Sequence, residues 1–262
     1  MIYIDQLDRK ITLVSTPVRI ISLVPSQTEL LVDLGLSDFI VGVTKFCVHP
    51  DTIRKEKVVV GGTKSIHLQR IKELNPDIIL CNKEENTKEI VETLEQNYSV
   101  HVSDIATIAE SLELISQYGE IFDRRNNAKK LTDKIKLEAK EFSEFIQNKP
   151  KKKVAYFIWR KPWMVAGKGT FIHHLLEING FINVFGNQER YPNIPEEDLA
   201  ALSNLDFILL SSEPFPFSEE HQEEMTKLVH EVKTLLVDGE YFSWYGSRLA
   251  KAFTYFRSLH EN

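Results

Sequence analysis

Arg19-Ile20-Ile21-Ser22-Leu23-Val24-Pro25-Ser26-Gln27-Thr28-Glu29-Leu30-Leu31-Val32-Asp33-Leu34-Gly35 is the stretch whose reading decides the fold. Residues 19–24 are a short apolar run of strand type, and 25–29 read as a polar loop. Leu30, Leu31 and Leu34 then recur at helical spacing until Gly35 closes the helix. The order strand, loop, helix continues outward. Residues 39–43 predict another strand, Gly61-Gly62 a turn, and 68–74 a helix that Asn75-Pro76 stops; 78–81 are apolar enough for a buried strand. Strands that alternate with helices imply a parallel sheet whose ligand-accessible loops lie at the carboxyl ends of its strands.

The second half echoes this order: a strand at 154–158, a loop rich in Trp and Pro, a helix at 171–178 stopped by Gly180, and a short strand at 183–185. A helix with an acidic first turn is expected over 195–202, followed by a strand at 206–210. Between the halves, 125–147 carry Ala128, Leu131, Ile135, Ala139, Phe142 and Phe145 on one helical face without a Gly or Pro. The expected organisation is α/β: a Rossmann-like lobe over 1–120, one long rigid backbone helix within 121–150, and a second Rossmann-like lobe over 151–262. Such a helix would join the lobes stiffly and leave a ligand cleft between them that closes little.

A chain of 262 residues with 42% hydrophobic and 27% charged residues has the composition of a folded globular protein, long enough for two cores. Its formal net charge of -6 argues against nucleic acid as a partner, and the basic run at 149–153 reads as a solvated linker. Apolar stretches fall far short of the ~20 residues of a spanning helix, so no membrane insertion is expected. The first residues lack the pattern of a secretory signal. The expectation is a cytoplasmic chain if the sequence is complete, and a periplasmic or cell-surface one if a leader has been removed. Cys47 and Cys81 are too few for a disulfide framework.

With this layout, the chain resembles the helical-backbone (class III) substrate-binding proteins of ABC importers for cobalamin, haem and siderophores, and is most similar to the cobalamin-binding branch. The resemblance rests on residues 19–29, Val41-Gly42-Val43-Thr44, Ile71-Lys72-Glu73-Leu74-Asn75-Pro76-Asp77 and Asp238-Gly239-Glu240-Tyr241-Phe242, which follow the family's order and spacing. It implies facing aromatic residues at Phe46 and Tyr191, with Thr63 where the family has a further aromatic. It also implies acidic docking residues toward a membrane permease: Glu196 or Glu197 in the second lobe, and in the first Gln69 at the matching position, with Glu73 one turn on.

If strand ends define the site, the first wall holds Ser26, Gln27, Phe46, His49, Thr63, Lys64, Lys83 and Glu84. The second holds Trp159, Arg160, Trp163, Tyr191, Glu213, Tyr241, Phe242 and Trp244, an aromatic surface suited to a large planar ligand. Ser26-Gln27-Thr28 reads either as an ordinary helix cap or as an anion-binding turn. Lys64, Lys83, Arg160 and Lys161 suggest an anionic ligand periphery. Cys47 and His49, with His67 or Cys81, could ligate a soft metal, or could equally be a packed turn. Neither a resident metal nor a cofactor is expected. Gly167-Lys168-Gly169-Thr170 lacks the upstream glycine of a phosphate loop, and no hydrolase elbow or zinc-protease helix is present.

The expected function is therefore that of a monomeric substrate-binding protein of an ABC importer, partnered by a permease and capturing a corrinoid, haem or iron chelate. The alternative is a cytoplasmic chelate-handling enzyme, hydrolase or chelatase, using Glu84-Glu85 with Glu213 as acid and base.

Overall fold

Ile20, Ile21 and Ser22 are wholly shielded from solvent, as a central strand of a parallel sheet covered on both faces must be. The computed structural model describes residues 1–230 and 232–261, and its chain falls into two units. The first comprises Met1–Ile105, Ala109–Lys136 and Tyr245–Ala250; the second Ala106–Ile108, Leu137–Trp244 and Lys251–Asn262. The division is more interleaved than three consecutive segments, because a short piece near the carboxyl end returns to the first unit.

In chain order the first unit holds β1 (Ile2–Ile4), β2 (Lys10–Thr12), β3 (Ile20–Ser22), α1 (Pro25–Asp33), β4 (Ile40–Val43), α2 (Ile53–Glu56), β5 (Val58–Val59), α3 (Leu68–Leu74), β6 (Ile78–Asn82), α4 (Lys88–Glu95), β7 (Val100–Ser103) and most of α5 (Ile108–Ile121). The strands β1 and β2 form a separate antiparallel pair. The main sheet is parallel throughout, in the order β5-β4-β3-β6-β7. Ile21, Leu23, Ile79, Cys81, Val100 and Val102 from its strands pack with Ile71, Val91 and Leu94 from the covering helices. The expected loop at 25–29 does not exist: α1 starts at Pro25, a residue preset for the first helical position, so the polar run lies within the helix.

The helix α6 (Arg125–Ile146) bears out the long uninterrupted segment. Its 22 residues correspond to about 33 Å of rise. Ala128, Ile135 and Phe142, seven residues apart, are its most buried side chains. Residues up to Lys136 belong to the first unit and those from Leu137 to the second.

The second unit holds β8 (Lys152–Trp159), β9 (Trp163–Val165), α7 (Phe171–Ile178), β10 (Phe181–Asn183), β11 (Asn193–Ile194), β12 (Phe207–Ser211), α8 (Glu219–Leu228), β13 (Lys233–Val237), α9 (Gly239–Ser243) and most of α10 (Leu249–Leu259). The strands β10, β8, β12 and β13 are parallel, while β9 and β11 turn back antiparallel on the β8 edge. Two expectations shift here. The helix expected at 195–202 is a 3₁₀ stretch, Glu196–Asn204, anchored by buried Leu199, and the strand after Gly180 begins at Phe181 rather than 183. No helix among the described residues is long and apolar enough to cross a membrane.

Candidate functional site

In the first unit β3 is followed by neighbours on one side and β6 by neighbours on the other, so the strand order reverses between them, the place where ligands characteristically meet open α/β sheets. Phe46, in the loop after β4, is 48% exposed, with the Lys45 ammonium 4.9 Å from its ring centre. The Gly61-Gly62 turn approaches from β5. Gly61 has φ +129°, and a Cβ there would lie 2.4 Å from the Ser65 carbonyl, so only glycine fits. The loop after β6 is pinned by two asparagines. Asn82 Oδ1 accepts from the backbone of Glu84 and Glu85, while Asn86 donates to the carbonyls of Leu23 and Thr63. This holds Thr63, itself buried, against Glu85, whose carboxylate accepts its hydroxyl hydrogen bond. Burial pushes the Glu85 carboxyl above its ordinary range, with Lys64 opposing and Glu84 adding to the shift.

Two of the loop cations read from the sequence, Lys64 and Lys83, are exposed and make surface contacts. Lys64 donates to the Glu84 carbonyl, and Lys83 pairs with Asp104 at 2.5 Å. His49 stays half-buried on the loop after β4, and Glu84 half-buried on that after β6.

Ser26 and Gln27 are placed in the interior rather than on a ligand-facing turn, because they occupy the first turn of α1 beneath a returning segment. Gln27 Nε2 donates to Ser103 Oγ at 2.7 Å and Tyr245 OH at 3.0 Å, and Oε1 accepts from Tyr118 OH at 2.7 Å. Two residues on, Glu29 takes a bidentate pair from Arg248 at 2.9 and 3.0 Å, and Gly246 donates to Ser111. The motif 25–29 is thus the receptor for residues 245–250. Thr28 turns its hydroxyl to Ser22 and Cys47. Both cysteines are free and buried, and burial pushes the Cys81 thiol up to about 12.

In the second unit the aromatic side chains come from the end of β8, the loop after β12, α9 and the segment before β11. Trp159 is 38% exposed and meets Phe215 edge-on at 5.7 Å, with Phe215 resting on Phe217 and His221. Tyr241 is half-buried and stacked on Tyr255 at 4.7 Å, and half-buried Tyr191 lies beside Arg190. Three candidates belong to the core instead. Trp163 stacks on Phe217 inside the apolar cluster, and Phe242 is wholly buried against Tyr156 and Phe256. Trp244 is buried and donates to Glu213 Oε1 at 2.8 Å. Large rings between sheet and helices gain more from burial than from exposure, which aromatic content alone does not reveal. Glu213 also accepts from Ser243, so its carboxylate ties α9 to the loop after β12. The close approach depends on Gly239, where a Cβ would stand 2.3 Å from Ser211 Oγ. Arg160 forms a two-point pair with Glu224, which lowers the Glu224 carboxyl pKa.

The docking candidates are all exposed. Gln69 and Glu73 share one face of α3, joined by a 2.9 Å hydrogen bond, and Glu196 and Glu197 open the 3₁₀ stretch of the second unit.

Two α/β units whose strands end near exposed aromatic side chains have the build of a ligand-binding protein. The model of the periplasmic binding protein family matches residues 20–232, and the chain belongs to that family. A vitamin B12-binding protein of Vibrio vulnificus (strain YJ016) is 30% identical over 200 residues, covering 72% of this chain and 70% of that one. An uncharacterized ABC transporter substrate-binding lipoprotein, YvrC of Bacillus subtilis (strain 168), is 25% identical over 207 residues, 76% of this chain; the match spans 65% of that relative's length. The fold is shared with a possible iron-binding protein from Staphylococcus epidermidis ATCC 12228, at TM-score 0.79 and 24% identity over 95% of this chain and all of that one. It is shared equally with the vitamin B12-binding protein BtuF of Vibrio cholerae, at TM-score 0.79 and 19% identity over 94% of this chain and 99% of that one. Family and relatives are binding proteins of transporters, which favours binding over the chelate-handling enzyme.

Proposed function

We propose that this protein is the substrate-binding component of an ABC importer and takes a bulky corrinoid, haem or iron chelate on the carboxyl-end loops of its sheets. The observation that carries the reading is the exposure of large rings there: Phe46 at 48%, on a loop tied by the Lys45–Gly61 and Phe46–Thr44 hydrogen bonds, and Trp159 at 38%, at the end of β8 and packed on Phe215. Exposed apolar rings on firm supports lose water and gain dispersion contacts when a flat ligand covers them, at small cost in side-chain entropy. Tyr191 and Tyr241 extend the surface, and His49 lies on the same loop as Phe46. Gln69 with Glu73, and Glu196 with Glu197, are the proposed contacts to the permease, and the protein acts as a monomer in this reading. The names of the relatives, which bind vitamin B12 or serve ABC transporters, support the ligand class and the partner.

Calorimetric titration of the purified chain and of Phe46→Ala and Trp159→Ala tests it. Each truncation is expected to weaken chelate binding by about 1–3 kcal/mol, as aromatic anchors do, while leaving thermal unfolding of the free protein nearly unchanged. Unaltered affinity in both variants would contradict the assignment of these rings to the ligand surface.

A further inference from the structure

Gly61 and Gly62 stand side by side in the turn after β5 but answer different needs. Gly61 is required by the backbone: its φ is +129°, and a Cβ there would fall 2.4 Å from the Ser65 carbonyl oxygen. Gly62 is not. Its φ lies outside the left-handed region, and the atom nearest to a Cβ built on it is Phe46 Cε2, at 3.2 Å, with Lys45 Cε next at 3.5 Å. The edge of the Phe46 ring thus lies against bare backbone that any other residue would cover with a side chain. That backbone is held firmly. Lys45 N–H donates to the Gly61 carbonyl at 2.8 Å, Gly62 N–H to the Ser65 carbonyl at 2.7 Å, and Asn86 Nδ2 to the Thr63 carbonyl at 2.9 Å. Phe46 is nonetheless 48% exposed, so the ring has a seat along one edge and open surface for a ligand.

We propose that Gly62 is a positioning residue for ligand binding: having no side chain, it seats the Phe46 ring against the turn and fixes the tilt at which the ring meets a flat ligand. The inference rests on the importer reading above and deepens it. An exposed ring without a seat exchanges among rotamers, and a ligand that stacks on it must fix one of them at an entropic cost. Against the turn, one tilt is favoured before the ligand arrives. A methyl group at 62 would push the ring aside by a few tenths of an ångström or turn it to another rotamer. Stacking contacts weaken steeply with such displacement, a gap of about 0.5–1 Å forfeiting roughly a quarter to a half of their attraction.

The test is a double-mutant cycle on the full chain: Gly62→Ala, Phe46→Ala and the two together, titrated calorimetrically near neutral pH with cyanocobalamin, haemin and a ferric trihydroxamate. For the chelate bound most tightly, Gly62→Ala should weaken binding by about fivefold when Phe46 is present and by less than about twofold in the Phe46→Ala background. A merely structural role for Gly62 gives the same loss in both backgrounds, and that result overturns the inference, as does no loss in either. A second measurement needs neither ligand nor a variant at 62. In the NMR spectrum of the free protein, Phe46→Ala should move the Gly62 Hα resonances, because ring currents act only at close range; unmoved resonances overturn the seat. All these failures leave the importer reading standing, whereas no saturable binding of any of the three chelates overturns that reading and this inference with it.

Discussion

Gln27 shows how one side chain can be read for the wrong task. In the sequence it follows a strand and precedes apolar residues, which suits a ligand-facing turn; in the fold it connects α1, β7, α5 and the returning segment through one amide. Replacing it by Leu leaves buried hydroxyls of Tyr118 and Tyr245 without this partner, so the variant should lose at least about 2 kcal/mol of stability. Urea unfolding measures this, and an unchanged midpoint would contradict the structural role. His101 gives the pH dependence. It is wholly buried, and burial pushes its pKa below the ordinary 6.5, with Arg9 adding to the shift and Gln117 and Asp5 opposing it. The unfolded chain therefore binds this proton more readily than the fold does. The contribution of neutral His101 is complete above the unfolded value and is lost as pH falls through and below it. The drop in urea midpoint between about pH 8 and 5.5 should shrink in His101→Phe; an equal drop in both proteins would contradict the assignment.

Elements were legible where local chemistry and packing agree. The helices 68–74 and 171–178 were read to the residue, because Asn75 adopts the left-handed stop and Thr170 caps its helix. The strands β3, β4, β6, β8 and β12 were read from apolar runs and the long helix from its apolar face, whereas β1, β2, β5, β7, β9, β11 and β13 were not read. Nor was the segment 245–250, since its attachment to the first unit depends on partners more than 130 residues away that no local pattern announces. Trp163, Phe242 and Trp244 were likewise drawn to the ligand surface by their type alone, while Trp159 and Phe46 are the exposed rings. Among elements, the exposed start of the 3₁₀ stretch carries the docking proposal. Reversing Glu196 and Glu197 to Lys should weaken association with permease while leaving ligand affinity intact, because exposed charges act chiefly on encounter with a charged partner. A pull-down paired with calorimetry separates the two, and parallel losses would move these residues to the ligand surface.

At the scale of the molecule, a related architecture occurs twice in one chain: a sheet with parallel central strands, fully parallel in the first unit and extended by antiparallel β9 and β11 in the second, with aromatic side chains near the carboxyl ends of its strands. Fold likeness alone leaves function open, which is why the account rests on the exposed rings and their supports as well as on family membership. The central claim is that a bulky chelate occupies these loops. Native mass spectrometry with visible absorption, on protein isolated from its own organism, tests this most directly. The account predicts one ligand per chain whose mass and colour are those of a corrinoid, haem or ferric chelate. A colourless protein at the mass of the bare chain, which also fails to take up any of these chelates when they are added, would contradict it.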